Sequence, residues 1–330
     1  MTARSRPPKA GPVERVLVTG AGGFIGHHLV TRLKEEGFWV RGVDLKVPEY
    51  TEIDADEFQV ADLRLKEACE AATEGIDHVY ALAADMGGMG FIAFNNATIL
   101  HNNALINLHT LEAARQAGVS RYLYSSSACI YPEHLQLDAD IAGLREEDAY
   151  PADPQDAYGW EKLVTERLCE YYAADYGLQT RIVRFHNIYG PYGTYDGGRE
   201  KAPAAMCRKV AHAEDDGSIE IWGDGEQTRS FCHVDDCVEG ILRLMRSDYG
   251  SPLNLGTDRM VTINELADIV IRISGKSGIR LDHIEGPQGV RGRNSDNTRL
   301  REVLGWEPQI TLQDGLERTY NWIEKQLEGS

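Results

Sequence analysis

Apolar residues along this chain gather in short, near-continuous runs, each followed by a stretch of helical spacing. That pattern predicts buried parallel strands joined by helices. Val16-Leu-Val-Thr19 is the first run, and Leu29, Val30 and Leu33 continue it as a helix. Trp39–Asp44 predicts a second strand, Phe58–Leu63 a short third and His78–Ala84 a fourth, with a helix over Leu65–Glu74. Apolar spacing predicts a helix over Asn102–Gly118, a fifth strand over Arg121–Ser127, an amphipathic helix over Tyr158–Tyr176 and a sixth strand over Thr180–Asn187.

Beyond Pro191 the alternation weakens. Helices are predicted at Ala202–Ala213, Val234–Arg246, Ile263–Ser274 and Leu312–Leu327, with a strand at Ile219–Trp222 and a turn at Gly223-Asp-Gly225. The fold expected is α/β, a doubly wound parallel sheet with a smaller C-terminal α/β substrate-binding domain. Its parts are a disordered tail over 1–12, a dinucleotide-binding domain over 13–190 and the substrate domain over 191–330. Part of 226–256 is expected to return to the first domain.

Gly20, Gly23 and Gly26 stand between the first strand and its helix. In a Rossmann-like strand-turn-helix unit the first makes the tight turn, the second admits a pyrophosphate and the third lets helix lie on strand. The helix N-terminus then presents free N–H groups to the phosphates. Asp44 closes the second strand, where an acid accepts hydrogen bonds from an adenosine ribose and repels a 2′-phosphate, favouring NAD over NADP. Glycines also punctuate ordinary turns, and an aspartate can simply end a strand; the surrounding alternation favours the cofactor. The expected NAD contacts are Gly20, Gly23, Phe24, Ile25, Gly26, Asp44, Asp62 at the adenine edge, Leu63, Leu82, Ala83 and Ala84, with Tyr158 and Lys162.

Net charge is −18, which argues against general nucleic-acid binding. Arg199, Lys201, Arg208 and Lys209 nevertheless crowd one segment, and Arg291 and Arg293 another, as an anionic small substrate would require; solvated helix faces would also explain Arg208 and Lys209. No apolar run is long enough to span a bilayer and the N-terminal stretch lacks a signal core, so a cytoplasmic location is expected. Six cysteines and ten histidines form no disulfide framework or metal spacing. No metal is expected, and His186 is taken as structural.

Tyr158 and Lys162 lie at i and i+4, on one helix face. A neighbouring ammonium lowers a phenol from its usual pKa of about 10 toward neutrality, so that it can take a hydroxyl proton while hydride leaves the same carbon. Ser127, at the end of the fifth strand, would hold the oxygen being oxidised, or be structural. The loop Asp85-Met-Gly-Gly-Met-Gly90 allows close backbone approach to a ligand, or is merely flexible.

Longer motifs carry a resemblance. The GxxGxxG spacing resembles the extended short-chain dehydrogenase/reductase superfamily. Leu82–Phe91, Ser126–Glu133, Pro154–Gly159, Arg184–Pro191, Gly197–Ala205 and Gly289–Asp296 are similar to its GDP-mannose 3,5-epimerase family, over nearly the whole chain after the tail. The resemblance implies interconversion of GDP-α-D-mannose and GDP-β-L-galactose, with NAD oxidised and reduced within each turnover. It assigns proton transfer at C3 and C5 to Cys129 and Lys201, which by themselves would read as a packed thiol and a solvated amine. It implies substrate contacts at Gly87, Gly88, Ser127, Cys129, Asn187, Lys201, Lys209, Gln227, Arg229 and Arg293. It also implies a homodimer through a four-helix bundle formed by the helices around Leu105–Ala117 and Tyr158–Tyr176. Alternatives are a nucleotide-sugar 4-epimerase, a 4,6-dehydratase, which would carry Asp-Glu where this chain has Ala128-Cys129, and a non-catalytic NAD-sensing scaffold, which would have lost the Tyr/Lys pair.

Overall fold

The computed structural model describes residues 13–287 and 289–329, so the tail expected over 1–12 lies outside the described residues. Along the first half, β1 (Arg15–Thr19), α1 (Phe24–Glu35), β2 (Trp39–Asp44), β3 (Glu57–Val60), α2 (Lys66–Thr73) and β4 (His78–Ala81) follow one another. Then come the single turn α3 (Met89–Ile92), α4 (Asn96–Gln116), β5 (Arg121–Ser127), α5 (Ala157–Tyr176) and β6 (Gln179–Phe185). The second half holds β7 (Ile188–Tyr189), α6 (Ala202–His212), β8 (Ser218–Trp222), β9 (Thr228–Ser230), β10 (Cys232–His233), α7 (Val234–Arg246) and β11 (Pro252–Leu255). It closes with β12 (Met260–Thr262), α8 (Ile263–Ser274), β13 (Arg280–Ile284), β14 (Gly292–Arg293), α9 (Thr298–Leu304) and α10 (Leu312–Glu328).

The main sheet has seven strands in the order β11-β6-β5-β4-β1-β2-β3. All its pairings are parallel. Its central strands are buried on both faces; Val16, Leu17 and Val18 of β1 have no exposed surface. On one face Leu29, Val30 and Leu33 of α1 meet Ile241 and Leu242 of α7 in one core. On the other, residues of α2, α4 and α5 form a second. Strand order reverses between β1 and β4, and the crevice beyond that switch point is where such sheets bind ligands. A third core joins α6, α8 and α10.

Several boundaries depart from expectation. β3 stops at Val60 and β4 at Ala81, so Asp62, Leu63 and Leu82–Ala84 lie in the turns beyond the strands. The strands β7, β9, β10, β12 and β14 have two or three residues each, too short for an alternation to be read. Helix α5 also departs from the amphipathic pattern. It buries Tyr158, Glu161, Lys162, Thr165 and Glu166 and leaves Trp160, Val164, Tyr171 and Tyr176 exposed.

The polar face is fully engaged. Glu166 forms an ion pair with Arg184 of β6 at 2.7 Å, both side chains 2% exposed. Arg184 also donates to the Tyr131 hydroxyl at 3.1 Å and the Glu146 carbonyl at 2.8 Å. A charge this deep is tolerated where its partner and further hydrogen bonds satisfy it. Glu166→Ala leaves Arg184 buried and unpaired and is expected to cost about 3–5 kcal/mol, read as a lowered urea midpoint. An unchanged midpoint would show that the pair does not secure α5.

Candidate active site

The site begins at the glycine turn. Gly20 has φ of 71°, open to glycine without strain. A Cβ on Gly26 would lie 2.0 Å from the Gly20 carbonyl oxygen, so helix and turn touch backbone to backbone. Gly23 meets only that same oxygen, at 3.2 Å, and keeps its outer side open. The first turn of α1 carries no acidic residue to compete with a phosphate. Asp44 accepts from the Gly22 amide at 3.0 Å and the Lys46 amide at 3.3 Å, and burial raises its pKa. The Thr19 hydroxyl accepts from the amides of Leu82 and Ala83 at 3.2 and 3.1 Å, joining β1 to that expected contact segment. These residues fit a dinucleotide. The Asp62 carboxylate is paired with Arg64 at 2.7 Å, and Leu63 is buried in the core.

Some residues near this turn carry no sequence signal. Gly22 would place a Cβ 2.0 Å from the Lys46 carbonyl. Lys46, Tyr50, Tyr192 and Thr194 line a cavity against Gly22, Gly23 and Phe24. Tyr50 is anchored across it, 5.2 Å from the ring of Trp322 on α10 and 5.6 Å from that of Tyr195. Only folding brings these segments together.

At the end of β5, Cys129 follows Ser127 in a 3-10 turn whose amide donates to the Ser127 hydroxyl at 3.2 Å. Helix α5 starts beside it, with Asp156 as N-cap accepting from the Gly159 amide at 2.8 Å. Tyr158 packs with Ile92, Ile99, Met86, Phe91 and Cys129. Lys162 donates to the Ser125 carbonyl at 2.9 Å, and its Nζ lies 5.4 Å from the Tyr158 ring centroid. Lowering of the Tyr158 pKa by Lys162 is not what this arrangement gives. Burial pushes the phenol well above its ordinary value, the neighbouring Cys129 adds to this, and a hydrogen bond with Ser127 opposes it. Burial also lowers the pKa of Lys162.

Lys201 caps α6 at its N-terminus. Burial of its ammonium lowers its pKa, while the nearby Cys129 raises it. Cys129 thus acts electrostatically on both Tyr158 and Lys201. Arg293 donates to the Cys129 sulfur at 3.2 Å and to the Gln136 side chain at 2.6 Å. In the three-stranded sheet β12-β9-β14, Arg293 is the register partner of Arg229. Arg229 donates to the carbonyls of Thr228 and Val290, both at 2.7 Å, and burial and then Arg293 disfavour its charge. Gln136 is fully buried, another member that sequence reasoning misses.

The remaining expected contacts are dispersed around this centre. A Cβ on Gly88 would come within 2.5 Å of the Glu200 carbonyl oxygen, so the 87–88 turn abuts the segment bearing Lys201. Asn187 has φ of 47° and donates to the Ser230 carbonyl at 2.8 Å. Lys209 donates to the Glu220 carbonyl at 2.6 Å, and Gln227 to the Trp222 carbonyl at 3.2 Å. The basic clusters are less free than their sequence implies. Arg291 is held by both oxygens of Asp224 at 2.7 and 2.9 Å, and Arg208 pairs with Glu200 at 3.4 Å. His186 is buried with Nε2 against Asn254 at 2.9 Å, and burial lowers its pKa to about 3.

A family model described as the NAD dependent epimerase/dehydratase family matches residues 16–256. The chain belongs to that family. Within this NAD-dependent epimerase/dehydratase family it is similar to GDP-mannose 3,5-epimerase 1 of Oryza sativa subsp. japonica, 54% identical across 95% of this chain and 82% of that protein. GDP-mannose 3,5-epimerase of Arabidopsis thaliana is likewise 54% identical, across 95% of this chain and 83% of its own length. Among solved structures, a UDP-glucose 4-epimerase from Thermotoga maritima superposes with a TM-score of 0.86 at 28% identity, covering 95% of this chain and 99% of that one. A Bacillus cereus UDP-glucuronic acid 4-epimerase in complex with UDP-glucuronic acid and NAD gives 0.81 at 26% identity, covering 95% and 99%.

In this family member, Gly159 brings the start of α5 against the Cys129 turn. A Cβ there would lie 2.2 Å from the Cys129 carbonyl oxygen and 2.8 Å from Pro154 Cβ. Gly159→Ala must therefore push α5 away from the Cys129 turn. Displacement near 1 Å is expected to cost roughly 100-fold in turnover, with NAD still bound as judged by fluorescence titration. Turnover equal to the parent's would mean the close approach has no catalytic consequence.

Proposed function

We propose that this chain is a GDP-mannose 3,5-epimerase, converting GDP-α-D-mannose to GDP-β-L-galactose with NAD as resident cofactor. The observation that carries the proposal is Cys129, placed beside Tyr158, within electrostatic reach of Lys201 and in contact with Arg293. A simple 4-epimerase needs neither a thiol nor a lysine there, and a 4,6-dehydratase would present carboxylates.

Held at the Gly20–Gly26 turn and Asp44, NAD would supply reversible hydride exchange with C4 of the hexose. Tyr158 takes the C4 hydroxyl proton and gives it back, Ser127 holds that oxygen, and Lys162 stays oriented by the Ser125 carbonyl. The resulting ketone acidifies the C3 and C5 protons, because each carbanion is an enolate. Cys129 removes a proton from one face of the ring and Lys201 supplies one to the other. Burial makes the Lys201 ammonium readier to release its proton than an ordinary lysine. Arg293 keeps a positive charge against the sulfur.

Substrate binding falls to Gly87, Gly88, Asn187, Lys209, Gln227, Arg229 and Arg293. Paired guanidinium groups suit a pyrophosphate because their forked donors match its oxygens. Gln227 contributes a buried Oε1 with no partner among the described residues, an acceptor for a substrate N–H. Residues 13–190 and the β11 edge form the cofactor domain in this proposal, and most of 191–330 the substrate domain. Exposed Leu100 and Leu108 on α4, with Trp160, Val164 and Tyr171 on α5, support a homodimer through a four-helix bundle. Among the described residues no helix is long and apolar enough to cross a membrane. A cytoplasmic location belongs to the same proposal.

Turnover in D2O tests the reaction. Solvent deuterium is expected at C3 and C5 of the product, and label at neither carbon removes the epimerase reading. Cys129→Ala separates the two halves of the chemistry. On mixing with GDP-mannose it should still produce transient absorbance of reduced dinucleotide, yet release no epimerised sugar. Full activity in that variant would overturn the role of the thiol.

A further inference from the structure

Lys201 sits at the end of a segment with little structure of its own. Gly197 and Gly198 both have positive φ, 87° and 85°, and a Cβ on either would meet open space. What holds the segment is Arg199. Its carbonyl accepts from the Gly88 amide at 3.1 Å. Its guanidinium stacks 3.8 Å from the Phe91 ring centroid, donates to the Met86 carbonyl at 3.3 Å and faces Asp85 at 3.5 Å. Phe91 and Met86 in turn pack with Tyr158 and Cys129. Glu200, between Arg199 and Lys201, is tied separately to the Gly198 amide at 2.6 Å and to Arg208.

Asp85 is itself tied to α4, and through it to α5. It accepts from Asn102 at 3.0 Å, and its amide donates to the Asn103 side chain at 2.6 Å. Asn103 donates onward to Glu161 at 3.2 Å, in the helical turn between Tyr158 and Lys162. One continuous set of contacts therefore runs from the Lys201 segment through Arg199, Asp85 and Asn103 to α5.

We propose that Arg199 is a positioning residue that sets the distance of Lys201 from the substrate ring relative to Tyr158 and Cys129. The proposal rests on Lys201 being the acid of the reaction above. Its physical basis is that an exposed arginine-carboxylate contact contributes little to stability, whereas small misplacements of a proton donor cost rate steeply. Lysine cannot replace it fully, since a compact ammonium lacks the planar face that stacks on Phe91.

The consequence is a change in partitioning. In D2O the Cys129 thiol exchanges its proton with solvent after removing one from carbon. With Lys201 poorly placed, the enolate is reprotonated by the same thiol on the same face. Deuterium then appears in recovered GDP-mannose without inversion.

Arg199→Gln is expected to slow product formation about 10- to 100-fold while leaving the transient reduced-dinucleotide absorbance intact. The ratio of deuterium in recovered substrate to product formed should rise at least several-fold, and Arg199→Lys should fall between. A merely structural role would lower both quantities together and leave that ratio unchanged, which overturns the proposal. Lys201→Ala is the internal control and should show the same partitioning more strongly. Parental turnover in Lys201→Ala would defeat the assignment of Lys201 itself. Loss there with parental partitioning in Arg199→Gln defeats only the positioning role.

Discussion

The buried ion pair between Glu166 and Arg184 is the constraint on which the site depends. Removing two charges from water is costly, and the cost is recovered only where geometry and further hydrogen bonds satisfy both groups. Here Arg184 also reaches Tyr131 and the Glu146 carbonyl, and the Ser126 hydroxyl donates to Glu166. The pair can form only when α5 lies at one height along β5 and β6. That height places Tyr158 and Lys162 next to Ser127 and Cys129, at the carboxyl end of β5. Apolar packing is non-directional and would tolerate a helix displaced along its axis. A polar face does not.

Burial dominates the electrostatics that follow. It raises Tyr158 and lowers Lys162 and Lys201, so each is pushed toward its neutral form before any ligand arrives. Fixed guanidinium groups supply the opposing charge. Arg229 and Arg293 stand side by side because β9 and β14 are in parallel register, not because they are near in sequence. Such preorganised charges in an enclosed site act more strongly on developing negative charge than they would in water.

Scaffold and loops divide the work. In the proposed mechanism, strand ends and α5 carry the groups for oxidation and reduction at one carbon, and these are the parts a doubly wound sheet can hold rigidly. Cys129 and Lys201 come instead from a short turn and a glycine-rich segment, whose positions depend on what they lean against. Chemistry particular to one member of a family resides in such grafted pieces rather than in the fold.

Local periodicity was enough to predict six strands of the main sheet and most helices, since each buried run of apolar residues has to be covered. The glycine turn, Asp44, and the Tyr158 and Lys162 pair were also legible, because their chemistry is encoded over a few residues. Tertiary structure alone decided the seventh strand at Pro252–Leu255, the small sheet that aligns Arg229 with Arg293, and the meeting of Arg293 with Cys129. It also gave α5 a polar buried face and surrounded the Tyr158 phenol with burial that raises its pKa. Hydrophobic pattern is a property of neighbours along the chain. Register, desolvation and contact between distant loops are properties of neighbours in space, and no short stretch of sequence contains them.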